Sequence, residues 1–477
     1  LYNIYKTDFS QNGAAGKMVE YRHMTVNGAV NYAYDDRYVA TFSFAADGSD
    51  NYRPGNRWGF YPSLGLGWIV SRERFLRDSR MVDLLKLRAS VGKNGWDPMG
   101  EMRYLWEGYY TGRGGLNTGN SEHTWHGGTA LSYLPNPDVF AEKSLKYDAG
   151  IDLRLWNRLS LNVDLFLEKR SGIVTQDWMI PGASGVDNPP YRNIGRMTNK
   201  GFEVQLSWAD RIGDFNYALT GMASYNSNKV DYMAEVVTVP TAARTGRRLD
   251  ALFGYVADGF YDWDDFDVGG ELREGLPKPT FGAVQPGDIK YKNLNGDTVI
   301  DENDQTAIGD SYLPKLQYSF SLAASYKGFD LFALFQGAAG RDVNLLDAPL
   351  QNIAFRDNGN VYGIAEGRWA YYPEQGIDTR ATAIYPRLSL QDNSNNYRNS
   401  TLWKRSGDFL KLRNVELGYT FAQPSLSKAG ISKIRIYLSG VNLLTVSRLM
   451  RDYDIDPEIL SGHPALKSYN LGLTVTF

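Results

Sequence analysis

Cysteine is absent from all 477 residues, which excludes a disulfide framework, a thiolate metal centre and a cysteine nucleophile. No run approaches the roughly 18 apolar residues of a membrane-spanning helix. Neither sign of charge dominates: 51 Lys and Arg stand against 54 Asp and Glu, a net charge of −3. That balance offers no basic surplus for a nucleic-acid partner. No Ser/His/Asp arrangement stands out, acidic pairs are too common to nominate a carboxylate dyad, and no catalytic residue is assigned. Leu1 is not Met and no signal peptide precedes the first strand-like segment, so the signal of an exported chain is expected to have been removed.

What the chain does have is alternation. Leu145, Tyr147, Ala149, Ile151, Leu153 and Leu155 alternate with Lys146, Asp148, Gly150, Asp152 and Arg154. After Trp156-Asn157-Arg158 the beat resumes with Leu159, Leu161, Val163, Leu165 and Leu167. A period of two places the apolar set on one sheet face and the polar set on the other. The three-residue interruption is a tight turn, so the segment reads as an antiparallel hairpin. Its arms exceed the usual strand length of about 5–6 residues and match the 9–11 that span a bilayer when tilted. A transmembrane β-barrel escapes the hydropathy test, because only every second residue faces lipid. The aromatic content of 13%, with 32 Tyr and 11 Trp, supplies interfacial girdles, and 49 Gly supply turns.

Alternating segments of this kind recur: Met18–Tyr34, Arg37–Ala46, Arg57–Val70, Leu84–Lys93, then the hairpin above, then Gly201–Ala209 and Asp214–Tyr225. They continue with Leu316–Tyr326, Phe329–Gln336, Leu402–Phe421, Ile431–Val441 and Lys467–Phe477, for roughly 13 strands. Connectors switch between short links and long loops, the loops lying near 94–142, 171–196, 229–313 and 340–399. Short turns on one side and long loops on the other is the asymmetry of bacterial outer-membrane barrels, with the turns periplasmic. A soluble β-propeller would instead repeat at about 40–50 residues, a regularity missing here. The last strand, with Tyr469, Leu471, Leu473, Val475 and the terminal Phe477 on one face, has the pattern of a barrel-assembly signal. Counting back from a periplasmic Phe477 puts Leu1 outside, which implies part of a larger barrel.

The strongest chemical motif is Asn293-Leu-Asn295-Gly-Asp297-Thr-Val299-Ile-Asp301-Glu-Asn-Asp304. Asn293, Asn295, Asp297, Asp301 and Asp304 fall at loop positions 1, 3, 5, 9 and 12, with the Val299 carbonyl at position 7. That is the spacing of an EF-hand-type calcium loop. It departs from the pattern at Asn293, at Thr298 in place of the position-6 glycine, and at Asp304 in place of a bidentate Glu. The competing reading is a polar loop whose side chains satisfy its own backbone. Glu122, His123 and His126 read as surface loop, since they lack the His-Glu-x-x-His order. Loop aromatics including Trp125, Trp178, Tyr255, Tyr261, Trp263, Trp369 and Tyr372 can cover a partner, stack on sugar rings or pack the loops together.

The block from Asn399 through Trp403, Asp408 and Asn414 to Tyr419 resembles the near-C-terminal block of SusC/RagA-type TonB-dependent transporters. So do Tyr34-Asp-Asp-Arg-Tyr38, Asp47-Gly-Ser, Asn56 to Trp68, Asn199-Lys-Gly-Phe-Glu203 and the Asn293–Asp304 loop. The resemblance implies an all-β, antiparallel 22-stranded barrel in the outer membrane, of which residues 1–477 are the C-terminal part. The N-terminal plug and TonB box lie outside this chain. Residues 229–313 become a long extracellular loop carrying the calcium-type motif. The resemblance further implies a SusD-like surface lipoprotein as lid, coupling to TonB through the plug, and contact with outer-membrane lipid and lipopolysaccharide. The expected activity is import of oligomeric nutrients, glycans first and peptides second, with no covalent chemistry. The alternative is a non-transporting scaffold subunit of a surface or assembly complex.

Overall fold

The computed structural model describes residues 21–477 apart from 98–102, 109, 119–123, 132, 185–187, 238, 348–360, 391–392, 422–429 and 464, together with two short strands at 4–5 and 17–18. Among the described residues no helix is long and apolar enough to cross a membrane. The body of the fold is a 13-stranded antiparallel sheet in which every strand pairs with its neighbours in chain order. Its members are β1 (His23–Tyr34), β2 (Tyr38–Ser49), β3 (Trp58–Ile69), β4 (Val82–Trp96), β5 (Glu142–Leu155), β6 (Leu159–Gln176) and β7 (Tyr191–Ile212). They continue as β8 (Phe215–Tyr232), β9 (Leu316–Tyr326), β10 (Phe329–Ala339), β11 (Phe409–Phe421), β12 (Lys433–Ser447) and β13 (Ser468–Thr476). The edges, β1 and β13, do not pair with each other.

Register carries the sequence alternation from strand to strand. Phe42 lies opposite Leu64, Leu64 opposite Val91, Val91 opposite Tyr147, and Tyr147 opposite Leu167. This builds one continuous apolar face, and its side chains stand open: Val30, Leu66, Leu165, Leu438 and Leu471 are all more than half exposed. A soluble sheet would bury such a face. The turn end carries an aromatic row in which Phe215, Tyr326, Phe329 and Tyr419 lie opposite one another on successive strands. Such a row suits a membrane–water interface.

The turns are built as tightly as the sequence requires. Trp156 and Asn157 take φ of 54° each, and the Arg158 N–H donates to the Leu155 carbonyl at 3.0 Å. Asp35 and Asp36 make the same arrangement between β1 and β2. Left-handed backbone at both central positions matches the twist of the strands it joins.

At the loop end the strands outrun the alternation. β6 and β7 have 18 and 22 residues, and β7 starts at Tyr191 where alternation predicts a loop to about 196. The backbone ladder persists beyond the apolar band, because hydrogen-bonded pairing does not require a lipid-facing side chain. The predicted segment Leu402–Phe421 splits into Lys404–Ser406 and β11. Within β11, Arg413 forms a bulge opposite β10, so Leu412 and Val415 face the same way across a three-residue gap.

Candidate functional site

The polar face of the sheet is lined by small and charged side chains. Arg88 on β4 reaches Asp148 and Asp152 on β5, each at 3.4 Å, and Asp164 on β6. Gly150 lets it cross, since a Cβ there would meet the guanidinium at 2.6 Å. Further round, Arg435 on β12 pairs with Asp330 on β10 and Glu416 on β11. An open hollow of about 340 Å³ lies against this wall, lined in part by Asn162, Asp164, Glu203, Gln205, Ser319 and Gln336. The wall offers hydrogen-bonding groups and an excess of carboxylates.

Over the loop end the long connectors pack on one another. Tyr255, Ile289, Tyr291, Ile300, Val343, Leu345, Tyr385, Trp403, Leu449 and Ile455 form a buried apolar core. Its members come from the 229–313 loop, the 340–408 loop and the segment around the short helix α1 (Arg448–Tyr453). Asp288, fully buried, is the polar clasp between two of these loops. It accepts from Arg387 Nε at 2.7 Å, Asn393 Nδ2 at 3.0 Å and Asn396 Nδ2 at 2.9 Å. Burial, then the nearby Asp265 and Asp288 carboxylates, push the Tyr261 phenol up to about 12. The density of Asn in Asn393-Ser-Asn-Asn396 was the sequence signal for this clasp, and alternation cannot read it.

A second clasp ties the loops to the barrel. Lys411 lies on β11, pointing to the polar side, and is 1% exposed. Its ammonium donates to Asp456 Oδ1 and Glu458 Oε2, both at 2.7 Å. Burial works to raise both carboxyls, but hydrogen bonds and charge from Lys411, with Arg413 adding to Glu458, outweigh it and hold both below the usual range. Nothing in the local sequence marks Lys411, because its partners lie over 40 residues away.

The calcium-type residues come together as one wired loop. Asn293 Oδ1 accepts the Gly296 N–H at 2.6 Å, Asn295 Oδ1 the Asp297 N–H at 3.0 Å, and Asp297 Oδ1 the Val299 N–H at 2.8 Å. Asp301 caps a short helical turn at 302–304 by accepting the Asn303 N–H at 2.8 Å. Asp304 is fully buried and closes the loop, accepting from Leu294 N–H at 2.7 Å and Asp301 N–H at 2.9 Å. The sharp turn falls on Gly296, with φ of 79°, rather than at position 6. Ile300 anchors the loop in the apolar core. Among the described residues no three Asp, Glu or His side chains gather into a metal-holding group. The donor set is nevertheless all oxygen, the class calcium takes, and a carboxylate oxygen that accepts one N–H keeps a second lone pair.

The loop aromatics divide. Tyr255, Tyr261 and Trp369 are buried and pack the loops together, whereas Trp125, Trp178, Trp263 and Tyr372 stand about half exposed or more. His126 sits on a loop strand, Thr124–Leu131; Glu122 and His123 lie outside the described residues. Tyr469, Leu471 and Leu473 line the open apolar face of β13, each more than 60% exposed, and Phe477 ends the chain 86% exposed. Val475 lies opposite Ile434 of β12.

A family model described as "TonB dependent receptor-like, beta-barrel" matches residues 3–443. The chain is 29% identical to a TonB-dependent receptor of Formosa agariphila, over 100% of this chain and 48% of that protein. It is 26% identical to the TonB-dependent receptor SusC of Bacteroides thetaiotaomicron, over 94% of this chain and 43% of that one. The chain spans about half the length of the curated relatives it matches. Among solved structures, the RagAB peptide importer in its "open-open" state superposes with a TM-score of 0.72 over 99% of this chain and 48% of that one, at 22% identity. That likeness is one of fold.

Proposed function

Because the chain belongs to the TonB-dependent receptor-like β-barrel family of the outer membrane, we propose that it is the C-terminal barrel portion of a SusC-like importer of oligomeric nutrients. The observation that supports this most directly is the contrast between the two sheet faces. One face is apolar, open and edged by aromatics, while the other is a hydrophilic wall beneath one interlocked body of loops. A wall facing lipid outside and water inside is what a cargo path needs.

Residues 229–313 belong to the extracellular loop body in this reading. A SusD-like surface lipoprotein closes over that body, with Trp178, Trp263 and Tyr372 offering aromatic anchors. The plug, the rest of the barrel and the link to TonB lie in the remainder of the whole protein. Glycan oligomers are the proposed cargo, followed by peptides. Calcium is proposed as a structural ion of the loop at 293–304, held by Asn293, Asn295, Asp297, the Val299 carbonyl, Asp301 and Asp304. The alternating face of β13, from Tyr469 to Phe477, is proposed as the assembly signal.

The test is uptake of labelled oligosaccharides and of labelled peptides by cells carrying the full-length protein with its lid partner, with and without TonB. TonB-dependent uptake of either class supports the importer. Normal cell-surface complexes without uptake of either would favour a scaffold.

A further inference from the structure

Two neighbouring register rows on the polar face cross five strands of the wall. One runs from Asn162 on β6 to Gln205 on β7, Met222 on β8, Ser319 on β9 and Gln336 on β10. The other, one pleat away, runs from Asp164 to Glu203, Ser224 and Gln317. Together they line the open hollow of about 340 Å³. With neighbouring strands roughly 4.8 Å apart, the track is roughly 19 Å long from β6 to β10. It climbs from the turn end of β6 to the loop end of β10, where Gln336 Oε1 accepts from Arg413 Nε at 2.9 Å.

The charges along this track do not cancel. Asp164 is held by Arg88 of β4, which also reaches Asp148 and Asp152 of β5. Lys86, 3.9 Å from Asp152, is the second cation of that group. Glu203 is exposed, accepts from the Ser224 hydroxyl at 3.4 Å, and forms no ion pair among the described residues. At the upper end Asp456 and Glu458 engage Lys411, and Glu458 engages Arg413. In the row beyond, Lys146 lies opposite Glu168. Arg88 and Lys86 are thus left facing Asp148, Asp152, Asp164 and Glu203, and among the described residues no cation lines the hollow. Gln205, Gln317 and Gln336 are exposed, and Met222 is 47% exposed among them.

A side-chain amide donates and accepts at once, as neighbouring hydroxyls do, so Gln205, Gln317 and Gln336 can each bridge a sugar diol. Met222 gives the C–H face of a sugar ring an apolar seat. A carboxylate on the cargo would instead meet Glu203 with no cation to offset it. We propose that this track is a charge-selecting subsite, which binds a neutral oligosaccharide along β6–β10 and rejects a polyanionic one. Glu203 is the residue that discriminates. An uncompensated like charge set against the wrong ligand is a general route to specificity. The inference rests on the importer reading, in which the polar wall lines the cargo path, and it narrows the cargo to uncharged chains.

The test is retention of oligosaccharides by the purified full-length protein, read by mass spectrometry. Three pools are compared: mixed neutral oligosaccharides, the same pool oxidised to carboxylates at its primary hydroxyls, and the oxidised pool after methyl esterification. The wild type should retain the neutral pool about tenfold better than the oxidised one, and esterification should restore retention. In E203Q that ratio should fall severalfold, and E203K should reverse it. Neutral and oxidised pools retained alike by the wild type would overturn the proposal. Charge is removed from the ligand as well as from the protein, so the wild type decides even if a variant does not fold. An unchanged ratio in folded E203Q would also overturn it, as would retention of no oligosaccharide, or of a tryptic peptide pool in their place. Uptake by cells tests the importer separately: neutral-selective retention by a protein that imports nothing would leave the track standing and refute the importer instead.

Discussion

Lys411 Nζ and Asp456 Oδ1 meet at 2.7 Å, with the two side chains 1% and 3% exposed. One belongs to a barrel strand and the other to the segment after α1, so this pair, with those of Lys411 and Arg413 to Glu458, fastens that segment to the wall. Removing one member of a buried pair strands the other charge, at a cost of about 3–5 kcal/mol. Lys411→Met should free the 454–466 segment, seen as rapid proteolytic cleavage there while the barrel keeps its heat-modifiable mobility. Cleavage at the wild-type rate would show that the apolar core around Leu449 and Ile455 holds the segment by itself.

The same pair sets a pH dependence. Asp456 and Glu458 titrate below their ordinary range in the folded protein. Their contribution is therefore complete above the unfolded carboxylate values of about 4 and is lost as pH falls through the lower, folded values. Protection of the segment should be flat from pH 7 to 5 and should fall below about pH 4. In Lys411→Met that acid transition should disappear.

For the loop at 293–304, Asp304 is the residue to change. Both of its carboxylate oxygens accept backbone N–H groups, and leaving such donors buried without a partner costs about 1–3 kcal/mol. Asp304→Ala should loosen the loop with or without metal. Asp297→Asn keeps most of the local hydrogen bonds and removes a charge, so it should lower calcium affinity specifically. Isothermal titration with calcium after chelation separates the two; wild type that binds no calcium leaves the loop a self-satisfied turn.

Gly472 on β13 lies under the Tyr437 ring, where a Cβ would come within 2.1 Å of Cζ. Gly472→Val should displace that ring, costing about 1–3 kcal/mol by overpacking. The expected result is a lower unfolding temperature of the purified barrel. Adding Tyr437→Ala should recover part of the loss.

Deletion of Phe477 should lower the amount of folded protein in the outer membrane severalfold, measured by heat-modifiable mobility of surface-labelled protein. An unchanged level would mean that Tyr469 to Val475 suffice for assembly.

How much was legible in the sequence follows from which physics is local. Alternation located all the strands of the sheet, because each lipid-facing residue answers to the bilayer and not to a distant partner; the hairpin from Leu145 to Leu167 sits in the predicted register. The tight turn at Trp156-Asn157 was equally plain. The oxygen spacing from Asn293 to Asp304 foretold a compact loop, though not that Gly296 would make the turn or that Asp304 would be fully buried. The sequence could not say that β7 would run on from Tyr191, since backbone pairing leaves no mark once side chains stop alternating. Nor could it join Asp288 to Asn396, or Lys411 to Asp456, over 40 to 108 residues of intervening chain. Local periodicity decided the wall; long-range pairing decided what the wall and its loops present.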